Sequence, residues 1–328
     1  MKKTFLIFSF ISLCWTYAYT QNIHTVNPTP GSVADFPSFS EAVEAASSGD
    51  ILLLHGGNYG VQELNKTIVI YGTGYFLSGN KKTQSKKVTT RFEKLTINAG
   101  AENSIISGIE IYENLQVFAS NILIKGNRIL PDGHGTAINM SGCSSINVIG
   151  NYVGNSIHLV SGTILKNNFI GGGLGGDADS NGTNPVDNVL IENNIIIGAP
   201  TSHFNTVSIA SFANNYVSTV SGAGNSSPTN NIFAENGDIG TSNQFNVPIE
   251  SVFIGSNQTS SDTQWQLKEG SPAIEAGVGG TDVGMFGGDS PYELSGIPSI
   301  PNIYELKVGE VGTSKGGLEV QIKVKANN

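Results

Sequence analysis

Aliphatic residues recur along this chain in a frame set by Gly-Asn and Asn-Asn pairs. The clearest copy is Val189-Leu-Ile-Glu-Asn-Asn-Ile-Ile-Ile-Gly198, with an aliphatic residue three before and two after its second Asn, Asn194. The frame repeats around Asn127, Asn151, Asn168, Asn215 and Asn231, at successive intervals of 24, 17, 26, 21 and 16 residues. Upstream, Ile109 and Thr73 stand in the same slot. Three before the slot lie Ile70, Ile106, Ile124, Val148, Leu165, Ile191, Phe212 and Pro228; two after it lie Tyr75, Ile111, Ile129, Val153, Ile170, Ile196, Val217 and Phe233. A unit recurring near every ~20 residues, too short to bury its own apolar face, predicts stacked coils of a solenoid. In the slot, Asn tolerates the left-handed conformation a tight turn needs. Stacked coils would also set its amides about 4.8 Å apart, as a hydrogen-bonded ladder.

The pattern changes at the start. Ser38 and Glu41 have capping-box spacing, and Phe39, Ala42, Val43 and Ala46 share one helical face. Gly49 can end that helix, and Ile51-Leu-Leu-Leu54 reads as a strand buried on both faces. A short helix before the first coils covers core and strand edge that a solenoid end would expose.

Composition supports short strands and turns: 41 Gly, 38% hydrophobic and only 13% charged residues in 328. Lys2 and Lys3, the apolar run Phe5 to Trp15, and Ala18 before Gln21 read as a secretion leader. Leu13 is a poor residue before a lipidated Cys14, so plain secretion is expected over a lipid anchor. Loss of Lys2 and Lys3 takes the basic count from 17 to 15 against 26 acidic side chains, a charge of −11. That charge argues against nucleic-acid binding. Only Cys143 would remain, so no disulfide within the chain is expected, and it reads as a small core residue.

Phe39-Ser-Glu-Ala-Val-Glu-Ala-Ala-Ser-Ser-Gly-Asp-Ile-Leu-Leu-Leu-His-Gly-Gly-Asn-Tyr59 resembles the segment that opens the coils of secreted right-handed parallel β-helix proteins of the pectate-lyase-like superfamily. Tyr71-Gly-Thr-Gly-Tyr-Phe-Leu77, Ser271-Pro-Ala-Ile-Glu-Ala-Gly277 and Asp282-Val-Gly-Met-Phe-Gly287 look like segments of secreted Bacteroidota proteins with this fold. The resemblance spans residues 36–300. It implies an all-β, right-handed single-stranded parallel β-helix with a short N-terminal capping helix. The expected organisation is a signal peptide over 1–20, a cap over 21–50, coils over 51–289, and a linker with terminal strands over 290–328. The two terminal strands are expected to close the last coil; a small hairpin or an export signal are the other options. Activity is not implied, because that superfamily holds lyases, hydrolases, epimerases and adhesins.

Candidate chemistry is sparse. Gly176-Asp177-Ala-Asp179-Ser-Asn181-Gly182 places oxygen ligands at positions one, three and five with Gly at six, as in the first half of a calcium loop. Asn188 stands where a bidentate Glu would close such a loop, and Asp187 could supply a missing ligand; the alternative is an ordinary Asx-rich loop. Gly133-His134-Gly135 is similar to a motif of β-helix hydrolases, but their Asp-Asp and Arg-x-Lys partners are absent. A lyase would need a base for the proton α to a uronate carboxyl and a cation for that carboxylate. Lys125, Arg128 or Lys166 could be the base, with Ca²⁺ at Asp177 and Asp179. The pectate-lyase runs Trp-Ile-Asp-His and Arg-x-Pro-x-x-Arg are absent, and His158 and His203 are isolated.

The column one after the slot points outward and carries Tyr152, Phe169 and Tyr216, which could stack on sugar rings if no loop or tail covers them. The basic stretch Asn80-Lys-Lys-Thr-Gln-Ser-Lys-Lys87 could receive an acidic polysaccharide or be a solvated loop. The expected function is therefore a secreted or outer-surface scaffold, monomeric, that binds a polysaccharide or cell-surface glycan or mediates adhesion. The alternative is a Ca-dependent lyase or related carbohydrate enzyme acting on an acidic polysaccharide.

Overall fold

The computed structural model describes residues 21–131, 133, 135–176, 186–201, 204–255, 262–309, 312 and 316–326. Among these, three parallel sheets run the length of a rod. The first has nine strands, from Ile23–Val26 to Ile209–Ala213; the second has nine, from Gly57–Asn58 to Ile232–Phe233; the third has six, from Val61–Leu64 to Leu174–Gly176. One coil shows the path. Leu123–Lys125 lies in the first sheet, Arg128–Ile129 in the second and Ile138–Met140 in the third; Asn147–Ile149 then returns to the first, beside Leu123–Lys125. This is the expected single-stranded parallel β-helix, with the right-handed sense that parallel crossovers take.

Both apolar columns read from the repeat point into the rod. Ile70, Ile106, Ile124, Val148, Leu165 and Ile191 are fully buried on the first sheet, as are Ile111, Ile129, Val153 and Ile170 on the second. Tyr75 departs from its column. Its place beside Ile111 belongs to Phe92, because the chain makes an excursion after Thr73 and rejoins the second sheet at Thr90–Phe92. Tyr75 is buried instead in a separate apolar cluster, where its hydroxyl lies 2.6 Å from that of Tyr292.

The ladder forms, with one correction to its backbone. Asn127, Asn151, Asn168, Asn194 and Asn215 each donate from Nδ2 to Oδ1 of the Asn one coil on, at 3.0–3.1 Å. Each Oδ1 from Asn151 to Asn231 also accepts the backbone N–H of the Asn one coil back, at 2.8–2.9 Å. The left-handed turn residue is not the slot Asn but the one before it: Gly126, Gly150, Asn167, Asn193, Asn214 and Asn230 all have φ between 54° and 63°. The work is divided because one residue cannot both reverse the backbone and aim its amide down the axis. Hence the paired Gly-Asn and Asn-Asn spelling.

The helix Phe39–Ala45 caps the first coils; the Ser38 hydroxyl accepts the Glu41 N–H at 3.2 Å and donates to the Glu41 carboxylate at 3.0 Å. Helix and coil are not separate regions, since Ile23–Val26, inside the expected cap, already pairs in parallel with Ile51–Leu54. Coils also end well before residue 289. The last bridge in coil register joins Ile232 to Gln244, and Asn243 terminates the ladder. The chain then folds back along the second sheet. Asn302–Val308 and Val320–Lys325 form an antiparallel hairpin rather than closing a coil. Residues 1–20 lie outside the described part, and no described helix is long and apolar enough to cross a membrane.

Candidate functional site

The outward column of the second sheet is covered. Tyr216 is fully buried and Phe169 is 6% exposed, while Tyr152 is partly exposed. Trp265 stacks on Phe169 with centroids 4.4 Å apart, Phe169 stacks on Tyr152 at 4.5 Å, and Phe253 meets Tyr216 edge-on at 5.0 Å. The expected sugar platform is therefore a second core, made where the returning chain closes over aromatic rings. Asp262, itself fully buried, pins that return. It accepts from the Tyr292 hydroxyl at 2.9 Å, the Ser295 N–H at 2.6 Å and Asn80 Nδ2 at 2.7 Å. Burial pushes the Tyr75 and Tyr292 phenols well above their ordinary range, and the Asp262 charge adds to it, so both stay protonated and able to donate.

The three candidate bases do not converge. Arg128 is on the second sheet, paired with the buried carboxylate of Glu110 and stacked over Phe76 at 4.4 Å. Arg91 holds the other Glu110 oxygen at 3.0 Å. Lys166 and Lys125 lie on the first sheet's outer face. Lys166 is paired with Glu192 at 2.8 Å, and the Lys166 ammonium and the Ser211 hydroxyl hold the Glu192 carboxyl below the usual range against the opposing effect of burial. Lys125 is exposed and lines a cleft of about 280 Å³ with Asp289 and Glu293, but forms no ion pair among the described residues. Of the calcium candidates, Asp177, Asp179 and Asn181 lie outside the described residues; Asp187 is exposed. His134 and His203 also lie outside them. Among described residues no group of three His, Cys, Asp or Glu side chains could hold a metal.

A different surface stands out on the third sheet. Its strands read apolar-polar-apolar: Leu115-Gln-Val117, Ile138-Asn-Met140, Ile157-His-Leu159. The flanking residues are fully buried and the central ones partly exposed. In register, Glu63, Thr96, Gln116, Asn139 and His158 form one outward column on consecutive rungs. Parallel-sheet spacing sets neighbours about 4.8 Å apart. Glu63 accepts from Asn98 Nδ2 at 3.1 Å, whereas the side chains of Gln116, Asn139 and His158 have no hydrogen-bond partner among the described residues. The sequence signal was available in those triplets. It was missed because the Asn frame marks the turn between the first and second sheets, while the third sheet lies in the stretch of varying length between copies. The last strand of this sheet, Leu174–Gly176, ends one residue before Asp177 in the sequence.

No protein-family model matches the chain, and no curated protein matches it. Among solved structures, the crystal structure of pectate lyase Pel9A aligns with a TM-score of 0.46 and 15% sequence identity, covering 81% of this chain and 96% of that one.

Proposed function

We propose that this chain is a glycan-binding β-helix scaffold of the cell exterior, with the polar column of the third sheet as its binding face. The observation that carries this reading is the in-register run of Gln116, Asn139 and His158, partly exposed and without described hydrogen-bond partners. Amide and imidazole groups donate and accept, which matches the paired donor and acceptor character of sugar hydroxyls. Their rung spacing suits an extended, repeating chain lying along the rod. Asp177, Asp179, Asn181 and Asp187 would offer hard oxygen ligands to Ca²⁺, and a bound Ca²⁺ would let an acidic polysaccharide approach a chain of formal charge −9.

Binding rather than turnover is supported by the pairing of Arg128 and Lys166 with carboxylates and by their lying on different sheets from each other. The test is affinity electrophoresis through neutral and uronic-acid polysaccharides, with Ca²⁺ or with chelator. Retention by at least one glycan is expected, and the combined substitutions Gln116→Ala, Asn139→Ala and His158→Ala should weaken it at least tenfold. Unsaturated products absorbing in the ultraviolet would replace this reading with the lyase. Retention untouched by the triple substitution would place binding elsewhere.

A further inference from the structure

The three sheets treat their outer faces differently. The second is covered by the returning chain and the third is polar. The first is bordered by residues 289–303 along the column of Leu53, Tyr71, Lys125 and Ile149, and its other outward column is open and apolar. Ile51, Val69, Ile105, Leu123, Ile164 and Leu190 occupy one outward column in continuous register, broken only by Asn147. All six are partly exposed. Among the described residues no helix or strand makes an extended contact with this face. Parallel sheets are ordinarily covered on both sides, and a long apolar strip left open on a rod marks an association surface.

We infer that this face binds a second copy of the chain, so that two rods lie side by side with their first sheets packed together. Size and charge both point to a like partner. Nine rungs at about 4.8 Å and strands three to four residues wide give a flat strip roughly 38 Å by 10–13 Å. That is about 400–500 Å² per protomer and 800–1,000 Å² for a pair, the size of a weak or transient association. A flat sheet face is also the shape that packs against another flat sheet face, about 10 Å away. Without Lys2 and Lys3 each chain carries 15 basic and 26 acidic side chains, a charge of −11, so two copies approach most readily through a surface poor in carboxylates. On this face the column beside the aliphatic one holds Glu192, already paired with Lys166, and Lys125, whose cleft brings in Asp289 and Glu293 only at the border of the strip. The capping helix blocks end-to-end stacking and leaves this lateral face free. The hairpin Asn302–Val308 with Val320–Lys325 also exposes aliphatic side chains, but two strands offer only about 200 Å².

Sedimentation equilibrium of the chain without its leader, from low micromolar to near-millimolar concentration, reads this directly. The expected result is a rise from monomer to dimer mass with a dissociation constant in the micromolar range or weaker. Leu123→Glu and Ile164→Glu, both outward, should hold the chain at monomer mass with unchanged circular dichroism. The milder Leu123→Thr with Ile164→Thr, for use if the charged variants fail to fold, should weaken association at least tenfold. Gln116→Glu on the third sheet and Ile322→Glu on the hairpin should leave it intact. Monomer mass throughout for the parent overturns the inference. So does a dimer insensitive to the first-sheet substitutions, or one abolished by Ile322→Glu. Loss of glycan retention with unchanged mass in the first-sheet variants would assign the face to a polysaccharide instead.

Discussion

Trp265 lies almost flat on Phe169, ring centroids 4.4 Å apart and planes 29° from parallel. The two residues are 96 positions apart in the chain (265 less 169), and their contact decides what an entire column of aromatic side chains is for. Trp265→Ala should therefore do more than remove one ring. It opens the cover over Phe169 and Tyr152 and should cost about 3 kcal/mol, read as a lower midpoint in urea denaturation. It should also raise binding of a hydrophobic dye at the second sheet. An unchanged midpoint would mean that the returning chain does not hold the second core.

The Asn ladder predicts a gradient along the rod. Asn194 Nδ2 reaches Leu165 O, Glu192 O and Asn215 Oδ1, all at 3.0 Å, while its Oδ1 receives two N–H groups from Asn168. Asn194→Ala strands these buried partners and should cost about 3 kcal/mol or more. Asn243→Ala, at the partly buried end, should cost less than half as much. Equal losses at both positions, measured by chemical denaturation, would contradict a cooperative ladder.

Arg128 is assigned here to structure, not to proton abstraction. Arg128→Ala leaves Glu110, 3% exposed, with Arg91 as its remaining cation. A destabilisation of about 3 kcal/mol is expected, most of it recovered when Glu110→Gln is added, because the buried charge is then gone. If Arg128→Ala abolished a measurable lyase activity without lowering stability, this assignment would fail.

Acid should loosen the N-terminal strand first. Burial raises the Asp50 carboxyl, but N–H donors from Asn22 and Ser47 and the ring of His24 outweigh it, leaving its pKa below the ordinary 3.8. A carboxyl depressed on folding contributes stability that is present above its unfolded value and is lost as pH falls through its folded value. Protection of the Ile23–Val26 amides against hydrogen exchange should therefore decline below about pH 4. Asp50→Asn should lower that protection at neutral pH and flatten its pH dependence.

Calcium at the Asp-rich segment would bind the folded chain and raise its melting temperature. At a free concentration near 100 times the dissociation constant the gain is about 2.7 kcal/mol. Calorimetry with Ca²⁺ and with chelator should differ for the parent and coincide for Asp177→Asn combined with Asp179→Asn. Coincident curves for the parent would mark the segment as an ordinary Asx-rich loop.

How far the sequence reached depended on the range of the interaction. Ile124, Asn127 and Ile129 share one turn, so their roles follow from local spacing, and stacking of identical turns extends those roles down the rod. Ser38 and Glu41 were legible for the same reason. Tyr75 fitted the frame yet left it, since its burial is set by Tyr292 and Ser295, far away in the chain, while Phe92 takes its place. Gln116, Asn139 and His158 were written plainly in apolar-polar-apolar triplets. They fall outside the Asn frame, in a stretch whose length varies from coil to coil.

The sequence by itself determined the rod: its repeat, its inward columns, the paired Gly-Asn and Asn-Asn corners and the capping helix at its start. All of these follow from contacts within a coil or between adjacent equivalent coils. Only the tertiary structure decided which outer face is covered and which are left open. That choice depends on where residues 249–255 and 262–297 run after the coils end, and on a buried junction of Asp262 with Tyr292, Ser295 and Asn80. Alternation along a strand marks a side chain as outward. Whether outward means water, glycan or another layer of protein is set by chain segments far away in sequence.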